Sequence, residues 1–134
     1  MNKILPKTTL AEFIDNCDTN GVIRVYKEDG SSISKSDLVG TTMIIKVTKD
    51  NEEITMIAVV MGDIDGDGLN TAQDLSEMNK NCLGTATPML SGTRFLAADL
   101  DDNEKISATD LSELKQAIME SIKLKYVKPY KVIM

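Results

Sequence analysis

The 134-residue chain contains no histidine. This removes the commonest general base and the commonest transition-metal ligand. Cysteine is scarce: Cys17 and Cys82 stand far apart and build no disulfide framework. Both are expected to be free and partly buried. Cations are outnumbered, 15 Lys and Arg against 21 Asp and Glu, for a formal net charge of −6. No basic stripe offsets that balance, so the clustered cations that give most of the affinity for a phosphate backbone are missing. No apolar run approaches a membrane span, the longest lying around Met56–Met61. The opening "MNKILPKTT" lacks the apolar stretch of a signal peptide, and the sequence is expected to be a piece of a longer precursor. Neither a nucleophile elbow nor a phosphate-binding glycine loop occurs, which with the missing histidine argues against catalysis.

What is present divides into two halves. The length suits one ordinary domain or two small ones. Residues 1–62 carry 7 basic and 9 acidic side chains and residues 63–134 carry 8 and 12, so the second half holds −4 of the charge. In the first half, Thr9 and Glu12 form a capping-box pair ahead of Leu10, Phe13, Ile14 and Cys17 at helical spacing. This predicts a short helix over 9–17. Three β-branched stretches follow, predicting strands at 22–27, 42–49 and 52–60, with Asp50-Asn51 as a two-residue hairpin turn. No Pro-, Ser- or Gly-rich linker separates these strands from Asp63, so the halves are expected to pack as one unit. Beyond lie a helix after Asp74 with Leu75, Met78 and Cys82 at apolar spacing and Gly84 as its stop, and a middle helix within Pro88–Ala98 carrying Phe95 and Leu96. A last helix after Asp110 carries Leu111, Leu114, Ile118 and Ile122 on one stripe, and an apolar tail containing Pro129 is expected to dock. Leu75, Met78, Leu111, Leu114 and Ile118 are the expected core between the two outer helices.

The chemistry lies in a repeat. "GDIDGDGLNTAQDL" (62–75) and "ADLDDNEKISATDL" (98–111) align so that Asp63/Asp99, Asp65/Asp101, Asp74/Asp110, Leu75/Leu111, Ser76/Ser112 and Glu77/Glu113 coincide. Calcium takes about six to eight oxygens, and a loop of about twelve residues supplies them from alternating positions and the last. In the first copy these are Asp63, Asp65, Asp67, the Leu69 carbonyl, Thr71 directly or through water, and Asp74, with Gly68 at the sharp turn. The second copy offers Asp99, Asp101, Asn103, the Lys105 carbonyl, Ser107 and Asp110. Glu104 replaces the glycine there and three carboxylates replace four, so weaker binding is expected. Magnesium, which keeps its waters in a strict octahedron, suits these loops less well.

A strand leads into loop 1 where an EF-hand has a helix, and both loops end in Asp rather than Glu. With the duplicated "DLSE" and the "FLAADLDDN" before loop 2, the segment from Gly62 to about Lys125 resembles the dockerin family, modules with paired calcium-binding F-hand repeats. The segment before it is similar to the small X modules that adjoin dockerins in some anaerobic bacteria. The resemblance implies an α+β architecture: an N-terminal β-rich module over 1–61, Ig-like or helix-plus-sheet, packed on an all-α dockerin over 62–134 with two calcium loop–helix repeats. It implies calcium-dependent binding of a cohesin on a scaffoldin or surface protein. A secreted parent enzyme such as a glycoside hydrolase would thereby be anchored in a cellulosome-like assembly or at the cell surface. The implied contact residues are Ala72, Gln73, Asn79 and Lys80 in copy one and Ala108, Thr109, Lys115 and Gln116 in copy two. Many dockerins carry Ser-Thr at the first pair; Ala72-Gln73 and Ala108-Thr109 depart from this, as does Asn70 at a usually apolar position. The pairs also differ between copies, which argues against two equivalent binding orientations. The remaining alternative is a calcium-stabilised structural module with no cohesin partner. A calcium sensor fits poorly, since sensors need paired helices that open.

Overall fold

Local chemistry sets the first helix. In the computed structural model, which describes residues 3–85, 89–119 and 130–131, the Thr9 hydroxyl accepts the Glu12 amide at 3.2 Å and the Glu12 carboxylate accepts the Thr9 amide at 3.3 Å. This capping box opens α1 (Leu10–Asp15), which buries Leu10 and Phe13. The helix stops two residues before its expected end because Cys17 already belongs to β1 (Cys17–Asp18), paired in parallel with β5 (Tyr130–Lys131).

Strands β2 (Val22–Tyr26), β3 (Ile44–Lys49) and β4 (Glu52–Ile57) form an antiparallel sheet in that order. Val25 pairs with Ile45, and Val25, Ile45 and Val47 face inward, buried with Ile4, Phe13 and Val60. Asp50-Asn51 closes the β3–β4 hairpin between Lys49 and Glu52, and of the two only Asp50 takes positive φ, 55°. The third strand ends at Ile57 rather than Val60. There the chain changes partner: Ile4 donates to the Val59 carbonyl and accepts the Met61 amide, both at 2.8 Å, in a parallel bridge. Helix-plus-sheet is therefore the form taken. The two facing sheets of an Ig-like sandwich do not occur among the described residues.

The acidic half carries α2 (Ala72–Cys82), α3 (Gly92–Ala98) and α4 (Ala108–Ile118). Helices α2 and α4 pack on each other around Met78 and Leu114, both fully buried, and Leu75, Leu111 and Ile118 pack against the same cluster. Gly84, at φ 75°, ends α2 as expected: its amide meets the Asn81 carbonyl at 3.1 Å and the Thr85 amide meets the Lys80 carbonyl at 2.9 Å, a Schellman stop. Some expectations need correction. Both cysteines are free and Cys17 is half-buried as expected, but Cys82 is exposed rather than partly buried. The middle helix is present as α3 and carries Phe95 and Leu96 as expected; its buried residues are Ala97 and Ala98, and Leu96 is 45% exposed. Pro88, Ile122, Pro129 and the expected extension of α4 past Ile118 toward Lys125 lie outside the described residues, as does most of the tail.

The seam between the halves runs through neighbouring residues. Ile4 and Val60 sit in the first core; Leu5 packs against the second, which contains Met61. An extended backbone points successive side chains to opposite sides, so two short bridged stretches each serve both cores.

Candidate metal centre

Loop 1 brings oxygens of Asp63, Asp65, Asp67 and Asp74 within 4.8 Å of one another. Oxygens at about 2.3–2.6 Å from a calcium ion lie at most about 5 Å apart, so the four carboxylates fit one coordination sphere. Two glycines shape the turn, Gly66 at φ 87° and Gly68 at φ 83°, where a side chain would be strained. Backbone amides aim inward. The Asp63 carboxylate accepts Gly66, Asp67 and Gly68 at 3.0, 3.1 and 2.8 Å. The Asp74 carboxylate accepts Ile64, Asp65 and Thr71 at 2.7, 3.0 and 2.8 Å, which ties the loop's end to the start of α2. Leu69 follows Gly68 with its amide on Asp67 at 2.9 Å.

The electrostatics of loop 1 disfavour the charged forms of its two buried carboxyls. Asp63 and Asp74 are fully buried. Burial pushes the Asp63 carboxyl up to about 7, with Asp65 and Asp74 beside it adding to the rise. Burial also pushes Asp74 up to about 6, reinforced by the Asp65 charge. The inward amides oppose both shifts without cancelling them. A divalent ion among these oxygens would remove the repulsion, and the hard, all-oxygen donor set fits calcium.

Loop 2 repeats the construction. Asp99, Asp101 and Asp110 offer oxygens within the same 4.8 Å, with Asp99 and Asp110 buried. Most of the hydrogen bonds recur position by position; the Asp102 and Leu100 amides instead meet the Asp99 and Ala98 backbone carbonyls at 3.4 and 3.0 Å, where Gly66 and Ile64 meet carboxylates. The Asp99 carboxylate accepts Asn103 and Glu104 at 3.3 and 2.9 Å. The Asp110 carboxylate accepts Asp101 and Ser107 at 3.2 and 3.0 Å. The Asn103 side chain takes the place of Asp67, accepting Lys105 at 3.0 Å. Where loop 1 has Gly66 and Gly68, loop 2 places Asp102 and Glu104 at φ 56° and 66°, so the non-glycine residue expected at the sharp turn does adopt the left-handed conformation.

Sequence reasoning missed several residues around the loops. The buried Thr41 amide, from the segment before β3, donates to Asp63 at 2.9 Å. Lys3 reaches loop 2, its ammonium on the Asp99 carbonyl at 2.6 Å and the Asp102 carboxylate at 2.5 Å. Arg94 on α3 donates to the Ile64 carbonyl at 3.2 Å. Glu113, one turn into α4, has its carboxyl raised by burial and by Asp101 and Asp110. Only Glu113, which coincides with Glu77 in the repeat, left a trace in the sequence. The eight expected contact residues, Ala72, Gln73, Asn79, Lys80, Ala108, Thr109, Lys115 and Gln116, are all exposed on α2 and α4. Among the described residues no helix is long and apolar enough to cross a membrane.

Residues 61–119 match the family model of the dockerin type I domain. No curated protein and no solved structure matches the chain. The matched segment begins at the strand-to-loop junction and ends just past α4, enclosing both acidic clusters and helices α2, α3 and α4. Residues 61–119 are thus a dockerin-type domain, a non-catalytic adaptor with two calcium-ligand clusters, preceded by a β-rich segment.

Proposed function

We propose that the chain is a calcium-dependent attachment module in which a dockerin over 62–134 binds a cohesin and an X-like accessory module over 1–61 supports it. Calcium in loop 1 is held by Asp63, Asp65, Asp67, the Leu69 carbonyl, Thr71 and Asp74, and in loop 2 by Asp99, Asp101, Asn103, the Lys105 carbonyl, Ser107 and Asp110. The ion supplies the charge that lets two buried acidic turns fold. The partner face is the exposed surface of α2 and α4, with Gln73 and Lys80 in copy one and Thr109 and Gln116 in copy two as its distinguishing side chains. The cohesin belongs to a scaffoldin or surface protein, and the parent is a secreted enzyme such as a glycoside hydrolase, outside the cell or on its surface.

The observation that carries this reading is the twofold acidic loop with largely matching internal hydrogen bonds, inside a segment of dockerin type. The test is binding of the full chain to a panel of cohesins from the source organism, with calcium and with chelator. At least one calcium-dependent partner is expected. Calcium binding without any cohesin partner would favour the second reading, a calcium-stabilised structural module. That reading draws support from Thr41 and Lys3, whose contacts turn both loops toward the chain's own N-terminal segment.

A further inference from the structure

Loop 1 does not stand alone. The segment 38–42, which leads into β3, lies against it at backbone distance. Gly40 has no room for a side chain: a Cβ there would meet the Gly66 carbonyl oxygen at 2.1 Å and the Gly66 carbonyl carbon at 2.9 Å. The contact is mutual, since a Cβ on Gly66 would meet the Thr41 carbonyl oxygen at 3.0 Å and one on Gly68 would meet Leu38 at 2.7 Å. The Lys7 amide closes the other side, donating to the Gly68 carbonyl at 2.8 Å.

One of these contacts reaches a ligand oxygen. Asp63 Oδ2 accepts two amides, Gly68 at 2.8 Å from within the loop and Thr41 at 2.9 Å from the N-terminal segment. Thr41 is itself immobilised: its hydroxyl accepts the Val60 amide at 3.0 Å and donates to the Val60 carbonyl at 3.3 Å, and it is fully buried. Loop 2 is held differently. Among the described residues the Asp99 carboxylate accepts loop amides, Asn103 and Glu104, and Lys3 contacts its backbone carbonyl rather than its carboxylate.

We propose that Gly40 and Thr41 are positioning residues for calcium in loop 1, so that the β-rich segment sets the affinity of that loop and not of loop 2. The Thr41 amide fixes the Asp63 carboxylate in the orientation that faces the ion, and Gly40 permits the approach. Partners that orient ligands in this way are worth about ten- to a hundredfold in metal affinity. Linkage makes the effect reciprocal: an ion in loop 1 stabilises segment 38–42.

The inference rests on the calcium reading of loop 1, and the test separates the two. Calcium alone is titrated into the full chain, wild type and Gly40→Ala, while amide resonances of Gly66 and Gly68 report loop 1 and those of Asp101 and Asn103 report loop 2. Gly40 lies outside the positive-φ region, so alanine acts through its contact with Gly66 and not through backbone strain. Loop 1 affinity is expected to fall about tenfold or more, with loop 2 changed by less than about twofold. A general loss of stability would weaken both loops. Exchange of the Thr41 amide in the wild type is a second readout that does not need the variant to fold; calcium is expected to slow it. Unchanged loop 1 affinity in Gly40→Ala would overturn the inference. So would Thr41 exchange indifferent to calcium while Gly66 and Gly68 respond. If Gly66 and Gly68 fail to respond in the wild type, the calcium reading of loop 1 falls, and the inference with it.

Discussion

Asp63 and Asp74 are held where their charged forms are disfavoured, and that fixes the sign of a pH effect. Their carboxyls rise from 3.8 to about 7 and about 6 in the metal-free fold. Between the ordinary and raised values the folded chain keeps protons that the unfolded chain releases. Stability of the metal-free form therefore falls as pH rises through that window. Calcium competes with the same protons, so its affinity rises over the same range and levels off above it. Melting in chelator is expected to occur at a lower temperature at about pH 8 than at about pH 5, with calcium titrations showing the opposite trend. Loop 1, with four carboxylates, is expected to bind more tightly than loop 2, with three. Two equal sites by calorimetry would contradict that order. Glu104, at φ 66°, pays for its left-handed backbone; Glu104→Gly is expected to raise the urea midpoint by the equivalent of less than about 1 kcal/mol, because relief of strain is partly offset by glycine's greater unfolded-state freedom.

The elements divide by how local their causes are. The capping box at Thr9, the hairpin at Asp50-Asn51 and the Gly84 stop are set by residues within a few positions of each other, and all three were legible. Both acidic clusters were legible for the same reason, since their carboxylates and most of the amides that meet them belong to one short stretch. What escaped was non-local. The strand ending at Ile57 is cut short because Ile4 takes over its continuation, and α1 yields Cys17 to a pairing with Tyr130. In α3 the buried positions are the small residues Ala97 and Ala98, which no local pattern marks out. Ile64 and Leu100 are core residues hidden among aspartates, each just inside its loop. Helices α2 and α4 each carry in their first turn an aspartate that closes a loop, so chelation is expected to melt them before the β2–β3–β4 sheet. Far-UV circular dichroism should lose helix in chelator while amides of Ile45 and Val47 stay protected. Unchanged helical signal would count against it.

At the scale of the whole molecule, shape and contact separate. If calcium shapes the face made by α2 and α4, Asp63→Ala with Asp74→Ala abolishes cohesin binding. Gln73→Ala with Lys80→Ala, both exposed, shifts affinity or partner choice and leaves the melting temperature within a few degrees. Surface-plasmon measurements on the two double variants distinguish the roles; retained affinity in the aspartate pair would refute the first.

The paired stretches Ile4-Leu5 and Val60-Met61 bear on how such a chain can be recombined. Each gives one side chain to the first core and the next to the second, and their bridge ties Ile4 to Val60. A cut at Met61 would follow the family match yet strip Leu5 from the second core and Lys3 from loop 2. The β-rich segment is thus no interchangeable cassette. A chimera that transplants the dockerin-type domain must carry residues 3–5 and a wall equivalent to 38–42, or rebuild the seam it exposes.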